Sequence, residues 1–348
     1  MIDYQFINGR FRVEVQSSSF KILHVTDMHL SGFNPLDWFC IKRVEKLAKM
    51  HDVDLIVITG DLFGHRKAGS MKRTVNLVEN VLGKNFCWTL AWGNHDQEMH
   101  DRKHDIITQL DEVEAHLESR KKCIYKKTRE FIETYSPDPF TSNDLERKAY
   151  QPYLDGGESL KHFDGFYGGN FHVEICSKEK KKPSWSIFIL NSRRGYHVPP
   201  NALKWMEDRI KSQERALPTL CFYHVPNYEY RLIWEQGIAK GIKREKVCHE
   251  KDKGRIHEHF KKLGCIKACF VGHDHVNDYH GMMDGIDYVY GRKTCLGGYG
   301  SNKKVEKKKK TIKIGAKLIM LSLDWQEPDN AIVEHFSVFD DGTNFTYS

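Results

Sequence analysis

The stretch CFVGHDHVND, residues 269–278, climbs through apolar residues to Gly272 and then delivers two histidines, His273 and His275, with an acid between them. A short apolar run bounded by glycine and polar residues reads as a buried strand. If the strand carries on through the histidines, their alternate positions send both imidazoles to one side. What else the chain sends to that edge decides what two imidazoles would do there.

Four other apolar runs end in the same way. FKILHVTD (20–27) leads to Asp27 and His29, and VDLIVITGD (53–61) leads to Asp61. FCWTLAWGNHD (86–96) ends in Asn94, His95 and Asp96, and TLCFYHVP (219–226) carries His224. Ligands of open α/β sheets sit beyond the carboxyl ends of the strands, so five runs ending in Asp, Asn and His form a convergence. Taken singly, GNHD reads as a turn and His224 as a core histidine.

The segments between these runs alternate with them. LDWFCIKRVEKLAKM and MKRTVNLVENVLG are amphipathic, and Ile106, Leu110, Val113 and Leu117 recur at helical spacing. Residues 128–163, with Pro137, Pro139, Pro152 and paired glycines, read as an excursion over the surface. From 164 the texture turns antiparallel, with FYGGNFHVEIC and SWSIFILNS flanking the lysine run KEKKKP (178–183) as a hairpin. A helix in NALKWMEDRIKSQER, a long loop through 253, a helix over 254–264 and tail strands in TIKIGAKLIMLSL and AIVEHFSVF complete the order. There is no fixed-period repeat and no Gly/Ser/Pro linker. Residues 1–348 are therefore expected to form one α/β domain of two packed sheets with helices outside.

Composition agrees with a globular protein: 40% of the 348 residues are hydrophobic and 29% are charged. Much of the net charge of +7 sits in KEKKKP and in KKVEKKKK (303–310), which read as solvated loops; attraction to nucleic acid is the sharper alternative. Nine cysteines, an odd number without a CxxC pair, favour a reducing compartment. No leader pattern opens the chain and no apolar stretch would span a bilayer, so a cytoplasmic location is expected, or secretion if a leader was removed.

Imidazole with carboxylate suits Zn, Fe or Mn, and soft thiolates are missing from these clusters. Two such ions close together need a shared anion, and Asp61 at the end of a central strand suits that position. A metal pair clamps the attacking and leaving oxygens of an in-line phosphoryl displacement.

In chain order, D-x-H, GD, GNHD, a lone His after a strand and GHDH together resemble the signature of the calcineurin-like metallophosphoesterases. The likeness runs from Asp27 to His275. It implies a four-layer α/β/β/α double β-sandwich. It also implies that Asp27, His29 and His275 bind one metal ion, that Asn94, His224 and His273 bind a second, and that Asp61 bridges them. A metal-bridging hydroxide would attack phosphorus. His95 would face the scissile phosphate and protonate the leaving alkoxide, and Asp96 would lie behind it and fix its ring, or else cap the turn. Asp274 would point away, to support or to solvent.

FDGFYGGNF, NSRRGY, YHVP, VGHDHVNDYHG and YGRKTCLGGYG look most like a purple-acid-phosphatase-related branch of fungal and plant cytosolic or secreted enzymes. Purple acid phosphatases place a tyrosine three residues after the GD aspartate, where this chain has Gly64, so neither a phenolate ligand nor the purple colour is expected. Arg193 and Arg194 are candidates to grip a phosphate oxygen, and Asn170 and Tyr299 to line the pocket. Cys248 with His249 is a candidate extra metal-binding or structural pair. The expected activity is dinuclear-metal phosphomonoester hydrolysis on a small molecule or phosphoprotein, with no membrane or nucleic-acid partner. The alternatives are a phosphodiesterase acting on a cyclic nucleotide or nucleic acid at the same site, and an inactive scaffold.

Overall fold

The computed structural model describes residues 3–65, 67–97, 106–128, 168–178, 182–192, 198–250, 252–301, 311–324, 326–345 and 347. Beyond Thr128 the expected surface excursion falls outside them. So do Arg193, Arg194, residues 179–181 of the first lysine run and the whole of the second.

In chain order the first strands are β1 (Asp3–Ile7), β2 (Arg10–Val15), β3 (Ser19–Val25), β4 (Leu55–Thr59), β5 (Cys87–Ala91), β6 (Phe171–Ser177), β7 (Lys182–Ile189) and β8 (Thr219–Phe222). They continue with β9 (Lys240–Ile242), β10 (Ile266–Val271), β11 (Asp278–Met283), β12 (Ile286–Tyr290), β13 (Ala316–Ser322), β14 (Val333–Val338) and β15 (Asn344–Phe345). Nine strands form one sheet in the order β1-β2-β6-β7-β8-β10-β12-β11-β9, and six form another in the order β15-β14-β13-β3-β4-β5. β3, β4 and β5 run parallel, as do β7, β8 and β10, so their carboxyl ends gather at one rim of each sheet.

Every residue of β4 and β5 is buried, which is why these strands read as continuous apolar runs and not as alternations. Alternation serves instead to divide two cores. Ile187, Ile189, Leu220, Phe222, Ala268 and Phe270 join the core shared with the six-stranded sheet. Phe188, Leu190, Cys221, Tyr223, Cys269 and Val271, one residue out of phase, lie under the helices Pro200–Lys211, Glu229–Glu235 and Arg255–Leu263. α1 (Pro35–His51), α2 (Ala68–Val81) and α3 (Ile106–Glu118) pack their apolar faces with the other sheet. The layers are α/β/β/α, as the motif resemblance implied.

α1 begins where the sequence dictates. The Asn34 side chain accepts from Leu36 N–H, Asp37 answers in a capping box, and Pro35 takes the first turn. Two features differ from the expected order. The loop expected through 253 contains the helix Glu229–Glu235 and the edge strand β9. Residues 3–15 form the hairpin β1–β2, turned by Asn8 and Gly9 at φ 51° and 77°. Among the described residues no helix is long and apolar enough to cross a membrane.

Candidate metal centre

The two sheets meet at their carboxyl rims. The His224 Nδ1–H, just beyond β8, donates to the carbonyl of Thr59 at the end of β4, 2.8 Å away. Gly272, beyond β10, sits so close to Thr26 and Asp27 that a Cβ there would stand 2.9 Å from the Asp27 carboxylate. Gly93 likewise leaves no room for a side chain beside Asp61. The glycines of GN and GH therefore answer to this close approach of backbone.

Past each rim the chain must turn sharply to bring its polar side chains back over the gap. Asp27, His29, Asp61 and His273 adopt left-handed backbone at φ 54°, 48°, 50° and 75°. Such a conformation costs a non-glycine residue about 1–3 kcal/mol and persists only where the surroundings impose it. Here parallel loop bonds impose it: His29 N–H donates to Asp61 O at 2.8 Å, and Leu30 N–H to Leu62 O at 2.8 Å.

These turns bring all seven expected donors together in two groups. His29 Nε2 lies 3.2 Å from His275 Nε2, and His275 Nε2 lies 3.3 Å from Asp27 Oδ1. On the other side, Asn94 Oδ1 is 3.1 Å from His224 Nε2 and 3.0 Å from His273 Nδ1. Asp61 Oδ2 stands between the groups, 3.6 Å from His29 Nε2 and 3.4 Å from His224 Nε2. Donors bonded to one ion at about 2.1 Å stand roughly 3.0–3.4 Å apart in octahedral and tetrahedral arrangements.

The donor chemistry fits cations. His275 Nδ1–H is committed to Tyr299 O at 2.8 Å and His224 Nδ1–H to Thr59 O, so in the neutral rings both Nε2 atoms carry lone pairs. They face carboxylate and amide oxygens that only accept. Lone pairs opposed at hydrogen-bond distance repel unless a proton or metal ion lies between them. The electrostatics say the same. Burial pulls the His224 ring down, but the Asp61 and Asp27 carboxylates outweigh it and hold that ring at about 10. Burial and the positive His224 push its neighbour His273 down to about 3. The pocket asks for positive charge, and a bound cation supplies it without a proton. Asp27, His29, Asp61 and His275 are also one of the groups whose donor atoms lie within 4.8 Å of one another.

One expectation changes and two open ones narrow. The strand β10 stops at Val271, so His273 and His275 are not alternate strand positions. The left-handed turn at His273 sends its ring to the Asn94 group and leaves His275 with His29. The Asp96 oxygens accept the backbone N–H groups of Phe63 at 2.9 Å and Gly93 at 2.8 Å, so this carboxylate fastens the GNHD turn to the end of β4. Asp274 is buried support, receiving the Tyr290 hydroxyl at 2.6 Å. His95 is partly exposed at the rim, with its N–H on Asp61 Oδ1 at 3.0 Å and its ring 5.6 Å from that of His29.

Gly64 is closed to any side chain, since a Cβ there would lie 2.5 Å from the His29 carbonyl oxygen. Asn170 is buried, and its Oδ1 ties Asn191 N–H at 2.9 Å. His249 turns to the Asp252 carbonyl, whereas Cys248 stands with His273 and Asp274. Sequence reasoning missed the supporting groups. The Ser192 hydroxyl accepts from His224 N–H at 3.0 Å and Val225 N–H at 2.7 Å; its place in the NSRRGY stretch after β7 was the available signal. Lys293, buried, donates to Asp27 O at 3.0 Å and Gly297 O at 2.6 Å.

Over 324 residues the chain is 24% identical to an Arabidopsis thaliana protein named "Probable inactive purple acid phosphatase 28", covering 84% of this chain and 72% of that one. It is 23% identical over 305 residues to "Phosphatase DCR2" of Saccharomyces cerevisiae, covering 76% and 46%. Solved structures similar to it include a dimetal phosphatase from Danio rerio (12% identity, 94% and 99% covered, TM-score 0.45). A purple acid phosphatase from yellow lupin is another (13% identity, 97% and 55% covered, TM-score 0.47). Residues 20–277 match the family described as calcineurin-like phosphoesterase. All five donor-bearing turns fall inside that match, and the chain belongs to this family of dinuclear-metal phosphoester hydrolases.

Proposed function

We propose that this chain hydrolyses phosphomonoesters. The observation that carries the reading is Asp61 Oδ2 standing between two donor groups, 3.6 Å from His29 Nε2 and 3.4 Å from His224 Nε2. Asp27, His29 and His275 would hold one ion, Asn94, His224 and His273 the other, and Asp61 both. Zn, Fe or Mn suit this set, and the closed Gly64 supports an ion without a phenolate ligand. When bound, such a pair lowers the pKa of a water and neutralises phosphoryl oxygens.

His95 would be the proton donor. Held at the rim by its backbone bond to Asp61, its ring would give a nitrogen-bound proton to the ester oxygen as the P–O bond breaks. Alcohol and inorganic phosphate leave. Asp96 keeps the turn that presents His95, through its bonds to Phe63 and Gly93. Substrate is a small phosphate ester or a phosphoprotein. A reducing, cytoplasmic setting is supported by nine cysteines that are all free thiols.

Metal analysis joined to turnover of p-nitrophenyl phosphate and bis(p-nitrophenyl) phosphate over pH 5–9 tests this. Two metal equivalents and faster monoester turnover are expected, with no visible charge-transfer band. Faster diester turnover would move the assignment to a phosphodiesterase. The word "inactive" in the name of an Arabidopsis relative favours a scaffold as the second reading. Metal content near zero with neither ester turned over would establish it.

A further inference from the structure

The strap 293–301, which follows β12, lies against the Asp27–His29–His275 half of the centre, and one of its residues holds His275 in two ways. A histidine that binds a metal through Nε2 needs its Nδ1 proton held and its ring plane fixed. The main-chain carbonyl of Tyr299 takes the His275 Nδ1–H at 2.8 Å. The Tyr299 ring lies flat on the imidazole, with centroids 4.0 Å apart and planes at 14°. The Tyr299 hydroxyl then donates to Glu245 Oε2 at 2.9 Å, and Glu245 Oε1 accepts Val276 N–H at 2.9 Å. The circuit closes on the residue next to His275.

The flanking backbone is shaped for this contact. Gly298 and Gly300 have φ of 66° and 85°, and a Cβ on Gly298 would stand 2.9 Å from both His275 Cε1 and His29 Cδ2. At the strap's other end the Lys293 ammonium joins Asp27 O to Gly297 O.

We propose that Tyr299 is a positioning residue for the metal centre: its carbonyl sets the His275 tautomer, its ring sets the imidazole plane, and Glu245 anchors it. The assignment rests on the dinuclear reading above. It acts on one half-site alone, because His224 of the other takes its support from Thr59 and Ser192.

The test is a Zn2+ titration of the metal-depleted full chain against a chromophoric chelator. The binding step that His29→Ala abolishes identifies the first half-site. Tyr299→Ala keeps the carbonyl and loses ring and anchor. It should weaken that step by roughly tenfold or more, within the range set by orienting partners of metal ligands, and leave the other step unchanged. Tyr299→Phe keeps the stack and should restore binding to within about threefold of wild type. Should Tyr299→Ala not fold, Glu245→Ala decides: weakening confined to the same step upholds the role, and an unchanged step overturns it. Wild-type affinity at both steps in Tyr299→Ala, or equal weakening of both, also overturns it. A wild-type chain that binds no ion pair overturns the metal-centre reading itself, an outcome distinct from the others.

Discussion

Among the described residues, two clusters of histidine and aspartate do opposite things with the same side chains. At the rim, seven donors converge with accepting atoms facing each other. Between the sheets, His280 of β11, Asp287 of β12 and His335 of β14 also bring three donor atoms within 4.8 Å. There the facing atoms are matched: His280 Nδ1 lies 3.0 Å from Asp287 Oδ1, and His335 Nε2 lies 2.8 Å from Asp287 Oδ2. His335 Nδ1 is buried without a partner, so the ring's one proton belongs on Nε2, facing the carboxylate. A metal at Nε2 would drive that proton to Nδ1 and strand it in the core.

Charge separates the two as well. Beside the inter-sheet cluster, Asp278 receives Lys317 and Arg292 at 2.6 Å each, so two carboxylates and two cations balance. At the rim, the one buried lysine or arginine among the described residues that stands with Asp27 and Asp61 is Lys293, and its ammonium is spent on carbonyl oxygens. A metal site is thus marked by unmatched acceptors and unbalanced charge, and not by residue type.

The sharpest break should come from Asp61→Ala, which removes the shared oxygen. Turnover is expected to fall by at least about a thousandfold and metal content from two equivalents to one or none, read by elemental analysis. His95→Ala should keep both ions yet lower kcat by roughly 10²–10⁴, with a smaller loss on aryl esters whose leaving group needs no proton. The inter-sheet cluster should answer the other way. Asp287→Asn is expected to leave metal content and kcat intact while costing about 1–3 kcal/mol in denaturant unfolding.

The smallest effect is a pH slope. Against the upward push of burial, His280 and His335 hold the Asp287 carboxyl well below the usual range, while burial lowers His335. On acidification the unfolded chain therefore takes up protons first, on histidine near pH 6.5 and on aspartate near about 3.9. The stabilisation is complete above those values and is lost as pH falls through them. From about pH 4 downward, where the unfolded aspartate takes up its proton, melting temperatures should drop less steeply for Asp287→Asn than for wild type.

Much of this was legible beforehand. The five apolar runs and their polar ends are visible because buried strands need unbroken apolar sequence and ligands need Asp, Asn and His. Asn8–Gly9 and Asp284–Gly285, both left-handed pairs, were readable hairpin turns that went unused. Other contacts left no local signal. Tyr299 meets His275 across 24 residues of chain, and Asp96 could have served ring or backbone until Phe63 N–H was seen beside it.

By itself the sequence determined the layers and which seven side chains arrive at the rim, since hydrophobic pattern and donor chemistry are local properties. Only the tertiary structure decided how they divide. The left-handed turn at His273 parts two neighbouring histidines between two half-sites, and that turn is held by contacts from the opposite sheet. Only there, too, do two clusters of the same residues part, because matching of donors, acceptors and charge exists between elements and not along the chain.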